Sequence, residues 1–159
     1  MKKTFVLLLI SLLLGCDKEP TLIEMKDNFN KHQATFLELQ AIVCEMGKVK
    51  QPYSYTESKF VFGPKGKLVK RVPELESLLK LIGVDSVSFE RGQYAQCTLK
   101  VQYYVRGFAG TGISYDYRYG IENPILLDES KHLIDSEPNR KYSFDIYLSD
   151  GWYLSFQAK

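Results

Sequence analysis

Three cysteines, two histidines and one row of tyrosines are the side chains whose types and spacing could carry chemistry in this chain. His32 falls at helical spacing inside an apolar stripe, the place of a partly buried core or edge histidine. His132 follows Lys131 in a polar stretch and reads as solvated. Neither has a nucleophile at motif spacing: no Gly-x-Ser-x-Gly and no His-Glu-x-x-His pattern occurs. Cys44 and Cys97 lack a histidine or third cysteine at ligand spacing, so a zinc-type site is not expected. The neighbours Asp128 and Glu129 have no apolar surroundings to lift a carboxyl pKa. The residues therefore predict no catalytic group, no metal ligand and no cofactor. Gly63-Pro64-Lys65-Gly66-Lys67 lacks the Ser or Thr of a phosphate loop, and the glycines of 107–112 open no helix. Both stretches read as turns.

Cys16 has a different setting. Lys2 and Lys3 precede an apolar run over 5–14 broken only by Ser11, and the run ends in Leu13-Leu14-Gly15-Cys16. A spanning helix needs about 20 apolar residues, so this run is too short to cross a bilayer. Its length and basic flank fit a secretory leader. The whole pattern resembles bacterial lipoprotein precursors, with Leu13-Leu14-Gly15-Cys16 as the lipobox. That resemblance implies acylation of the Cys16 thiol (palmitate among the acyl groups), removal of 1–15 as signal peptide, and an envelope protein facing the periplasm. Two or more acyl chains would hold it firmly where one holds only marginally. Asp17 resembles an inner-membrane retention signal. The expected organisation is 1–15 signal peptide, 16–20 lipidated N-terminus and short tether, and 21–159 a single α+β domain.

The full chain carries 21 basic and 19 acidic residues; the leader holds Lys2 and Lys3 and no acid, which leaves 19 of each. A balanced mature chain gives no electrostatic case for nucleic acid or a polybasic membrane patch. The expected partners are the membrane, through the lipid, and an envelope protein. With Cys16 committed to lipid, Cys44 and Cys97 form an even pair in an oxidising compartment, and a disulfide is the expectation; two buried thiols that never meet are the alternative.

The elements must position these residues. Thr21-Leu22-Ile23-Glu24 matches a capping box. Leu22, Met25, Phe29, His32, Phe36, Leu39, Val43 and Met46 then alternate spacings of three and four, which predicts one long N-terminal helix ending at Gly47. A strand over 53–62 and a shorter second helix opened by Pro73 and closed by Gly83 follow. The rest reads as strands: 84–90, 94–106, 113–121, 142–148 and 152–156. In 94–106, Ala95, Cys97, Leu99, Val101, Tyr103 and Val105 share a face, which turns Cys97 toward the helix bearing Cys44. Tyr115, Tyr117 and Tyr119 line one face of the next strand; they are a candidate binding face, or a core face. The long connection over 122–140 is expected to be functional or folded over an edge. The fold class is α+β, an antiparallel sheet of five or six strands with both helices on one face and the other face solvated.

A second resemblance rests on Phe29, Phe36 and Leu37, on Leu78-Leu79-x-x-Ile82-Gly83-Val84, on Gly112-Ile113-Ser114-Tyr115, and on Asp150-Gly151-Trp152-Tyr153-Leu154. These look like a group of short uncharacterised bacterial envelope proteins ending in a Trp-Tyr-Leu strand. Gly151 stands where that group has Asn, and Thr111 where it has Lys. The resemblance implies a fold and no activity. The functional expectation is a non-enzymatic binding or interaction module held at the envelope. The alternatives are a toxin-neutralising immunity-type lipoprotein and a hydrolase with an unrecognised site.

Overall fold

The computed structural model describes residues 18–49, 59–62, 72–91, 96–108, 111–128 and 142–158. It is an α+β sandwich. Three helices, α1 (Leu22–Lys31), α2 (Gln33–Val49) and α3 (Pro73–Leu81), share a core with strands β1 (Lys59–Phe62), β2 (Ser86–Arg91), β3 (Cys97–Phe108), β4 (Thr111–Tyr119), β5 (Tyr142–Tyr147) and β6 (Trp152–Ala158). The strands form one antiparallel sheet in the order β1-β2-β3-β4-β6-β5. The order departs from a simple meander only at its end, because the β5–β6 hairpin returns β6 to lie against β4. The described part of the long connection explains how β5 becomes the edge. Leu126 bridges Asp145, and the Asp145 N–H donates to the Ile125 carbonyl at 2.7 Å. This segment is thus folded over the sheet edge.

The expected single long helix is two. The apolar stripe is real: Met25, Phe29, Phe36, Leu39 and Val43 are all buried. The backbone breaks at His32, whose φ of -116° and ψ of 22° end α1. The reason lies in what each half packs on. The start of α1 sits by Arg106 and Tyr115, and the Met25 carbonyl accepts from Tyr117 at 2.9 Å, so α1 follows β4. Gln33 then donates to Ser149 and Asp150 in the β5–β6 turn, both at 3.0 Å. From there α2 crosses to Cys97 on β3 and Phe89 on β2. No straight helix can run along one strand and then across its neighbours.

Gly47 does not stop α2, which continues to Val49. Its role is clearance: a Cβ there would come within 2.5 Å of the Phe89 ring, tighter than any real contact. The second helix matches expectation. Pro73 is in its first turn, where the missing N–H costs nothing, and Gly83 leaves it at φ 72°. The Asp150-Gly151 turn is also as expected, with φ of 51° and 81°, the positive values that suit a tight hairpin.

Three rows of side chains cross the sheet toward the helices: Phe89, Leu99, Tyr119 and Trp152; Val87, Val101, Tyr117, Leu154 and Ile146; and Tyr104, Tyr115, Phe156 and Phe144. Tyr104 joins the third row because the β3–β4 register shifts between Gln102 and Tyr104. A bulge puts one extra residue in β3 and reverses the faces beyond it. The alternation therefore holds from Cys97 through Tyr103, whose ring lies 5.3 Å from Tyr117, and inverts from Tyr104 onward. Val105 is 58 % exposed instead of facing the core. Arg106, opposite Ile113, is brought to the helix side.

Candidate functional site

The segment just ahead of α1 is held to that helix through Thr21, Glu24 and Lys18, and to the sheet through Glu19. Thr21 and Glu24 form the reciprocal capping box, with the Thr21 N–H donating to Glu24 at 2.7 Å and the Glu24 N–H donating to Thr21 Oγ at 3.2 Å. These bonds, followed by the nearby Lys18 ammonium at 3.3 Å, hold the Glu24 carboxyl below its usual range. The Glu19 carboxylate accepts from the Tyr115 hydroxyl and lies 3.9 Å from Arg106 Nη1. Burial, reinforced by the bond to Glu19, pushes the Tyr115 phenol far up, so it stays a neutral donor. Arg106 reaches Glu19 only because the bulge turned it to this side.

Beside this strap lies an open cleft of about 860 Å³, lined by Lys18 and Pro20, by Gly83–Asp85 of the α3–β2 connection, and by 102–106 of β3. It exists because β2 begins at Ser86, opposite Gln102; past that point β3 has no neighbour on its β2 side among the described residues. The lining offers two cations, one carboxylate, one amide and two phenols. Burial, followed by the Glu24 charge, raises the Tyr103 pKa and keeps that phenol protonated. The lining contains no serine, cysteine or histidine to act as a nucleophile with its base. Such a set offers ion pairs, hydrogen bonds and ring contact.

The opposite face of the sheet is polar, as expected, but its centre is closed to solvent. Gln102, Asp116, Ser155 and Asp145 form a row across four strands. Asp116 and Ser155 are buried, and Asp145 nearly so. Ser155 donates to Asp145, whose other oxygen accepts the Ile125 N–H at 2.8 Å. Asp116 has Lys100 Nζ at 3.1 Å and Ser114 at 3.4 Å, yet among the described residues its Oδ1 has no hydrogen-bond partner, and neither do Arg118 Nε and Glu122 Oε1. Burial wins over the Lys100 attraction and lifts the Asp116 pKa above 3.8. The folded state then keeps this proton longer than the unfolded chain does. Stability falls as pH rises from 3.8 through the folded value, and the deficit is complete above that value. Asp116→Asn is expected to be more stable than the parent at pH 7, with the gain vanishing below the unfolded pKa. Urea unfolding at a series of pH values checks this; a gain that does not change with pH would contradict it.

The structure brings Cys44 and Cys97 together in a disulfide, with Cα atoms 5.6 Å apart. It does not leave Tyr115, Tyr117 and Tyr119 as an open binding face. Tyr115 and Tyr117 are 0 % exposed, and Tyr119 is half-buried with its ring 5.4 Å from Trp152. The cause is position: β4 is flanked by β3 and β6, and its tyrosine side is the one the helices cover. The hydroxyls serve the fold, since Tyr117 donates to Met25 and accepts from Asn28 at 3.2 Å. His32 marks the helix break, half-buried. Cys16, Glu129, His132 and the turn at 63–67 lie outside the described residues. Contrary to the expectation that no Ser-x-x-Lys pattern occurs, Ser77-Leu78-Leu79-Lys80 has that spacing. Both polar residues are exposed on α3, and Ser77 only back-bonds to the Pro73 carbonyl at 2.9 Å. Among the described residues, no group of three His, Cys, Asp or Glu could hold a metal, and no helix is long and apolar enough to cross a membrane.

Sequence reasoning missed Glu19, Arg106 and the Asp116 row. A faint signal for the first two exists in Tyr103-Tyr104, a pair of large rings at adjacent positions that a regular strand would send to opposite faces. Comparison of the chain with protein-family models, with curated proteins and with solved structures finds no match.

Proposed function

We propose that this chain is a bacterial envelope lipoprotein, acylated at Cys16 and facing the periplasm, that acts as a non-enzymatic binding module through the cleft beside its tether. The anchoring half rests on the basic start, the apolar run and Leu13-Leu14-Gly15-Cys16. The binding half rests on one observation: an open cleft of about 860 Å³ whose lining mixes Lys18, Arg106, Asp85 and two phenols without a nucleophile. A volume of this size suits a small ligand or a short segment of a larger one. Asp17 favours the inner membrane as the site of residence.

The test uses cells fed labelled palmitate. The parent protein is expected to take up label and migrate as the processed form. Cys16→Ser is expected to take up none and to keep its leader. An unlabelled parent would remove the anchoring half. For the binding half, Arg106→Glu is expected to lose whatever co-purifies with the acylated parent in mild detergent while keeping its circular dichroism. Identical co-purification would remove the cleft from the reading.

A further inference from the structure

The cleft and the anchor are close in the chain, and the closeness decides what the cleft can meet. Two Cα steps separate Cys16 from Lys18, a reach of no more than about 7 Å. Lys18 itself lines the cleft. From Lys18 onward the tether has little freedom, since the Tyr115 hydroxyl holds Glu19, and Thr21 and Glu24 cap α1. We infer that the cleft faces the bilayer that carries the acyl chains, and that the phospholipid headgroup layer is its ligand. This rests on acylation of Cys16 and names the ligand class of the cleft already described.

The chemistry of the lining fits that layer. Lys18 and Arg106 are 78 % and 73 % exposed in their side chains, and their present partners Glu24 and Glu19 are exposed or half-exposed. Such surface pairs are weak and exchange readily, so both cations can turn to lipid phosphates. Asp85 is exposed and can accept from a headgroup amine. Val105 adds an exposed apolar side chain at the same rim, and Tyr103 and Tyr104 present rings of the kind that settle at membrane–water boundaries. A zwitterionic lining of this sort suits a layer of mixed phosphate and amine groups better than a purely anionic ligand.

The far end of the domain supplies the contrast. β4 runs from Ile113, opposite Arg106, to Tyr119, opposite Trp152 beside the β5–β6 turn. Gln33 bonds that turn, and the next residue, Ala34, is exposed. Full-length protein processed in bacteria would carry either Val105→Cys or Ala34→Cys. Cys44 and Cys97 are bridged and Cys16 is acylated, so a fluorophore attaches at the new thiol. The labelled protein is placed in phosphatidylethanolamine–phosphatidylglycerol vesicles holding a headgroup spin-labelled lipid as quencher. Quenching is expected to be several-fold stronger at position 105 than at 34, and the contrast is expected to shrink when Glu19→Ala releases the tether. Equal quenching in acylated protein would overturn the docking face and leave the anchor intact. A contrast unchanged by Glu19→Ala would overturn the part given to the tether. Mass analysis showing no acyl group on Cys16 would remove the anchoring reading, and this one with it.

Discussion

Phe36→Ala is expected to destabilise the domain by about 3–5 kcal/mol, the cost of emptying a large buried aromatic site. Phe36 is fully buried at the start of α2, with ring centroids 4.9 Å from Phe29, 4.8 Å from Tyr117 and 5.1 Å from Trp152. Its ring touches Phe29 of α1 and Tyr117 and Trp152 of the sheet, so both halves of the broken helix and the sheet meet around it. The neighbours cannot collapse into the void, because Tyr117 is tied by its hydroxyl to Met25 and Asn28, and Trp152 is held in register against Tyr119. Phe36→Leu should cost clearly less, since it keeps most of the volume. Urea unfolding followed by the fluorescence of the chain's single tryptophan, Trp152, measures both. Equal losses for the two variants would mean that the ring contacts, and not the cavity, set the energy.

The second large effect is expected from the bridge. Cys44 and Cys97 are 53 residues apart, and closing a loop of that length stabilises by about 4 kcal/mol in the chain-entropy view. The double variant Cys44→Ala, Cys97→Ala should therefore lower Tm by roughly 10–15 °C for a domain of this size. A double variant is the right comparison, since either single change leaves an odd thiol. Parent protein heated with a strong reductant should approach the same Tm. A parent whose Tm ignores reductant would show that the bridge is not closed in solution. The bridge ties the last part of α2 to β3, three residues before Gly47 passes over Phe89 on β2. That is where a crossing helix without a second anchor would be freest to lift.

Much of the fold was legible because local pattern and environment agreed. The three-and-four stripe found the residues that α1 and α2 bury, since burial of a helix face requires that spacing whatever lies opposite. Alternation found the core side of β3 from Cys97 as far as Tyr103, so the disulfide could be anticipated from two faces alone. Thr21 and Glu24, Pro73 and Asp150-Gly151 each act through neighbours within a few residues, so each could be read directly.

The candidate site was not legible, and the reason is the same in each case. The break at His32 leaves the stripe intact and changes only its direction, which is set by where β4 and β2 lie. The bulge near Tyr103 moves Arg106 to the side of Glu19 without altering the apolar-polar rhythm that precedes it. The tyrosine row looks alike whether it faces water or a helix; the helices on its side of β4 make it core. Asp116 becomes a buried carboxylate only through its strand neighbours Lys100 and Ser155, distant in sequence.

The sequence by itself determined what acts over short range: the caps and turns, the periodicity of each element and the faces on which Cys44 and Cys97 lie. Tertiary structure alone decided which way α2 runs, which face of the sheet is covered, and that the segment ahead of α1, the α3–β2 connection and the free length of β3 line an open cleft. Periodicity records that a side chain is to be buried, and the partner that buries it is fixed by packing between segments far apart in the chain.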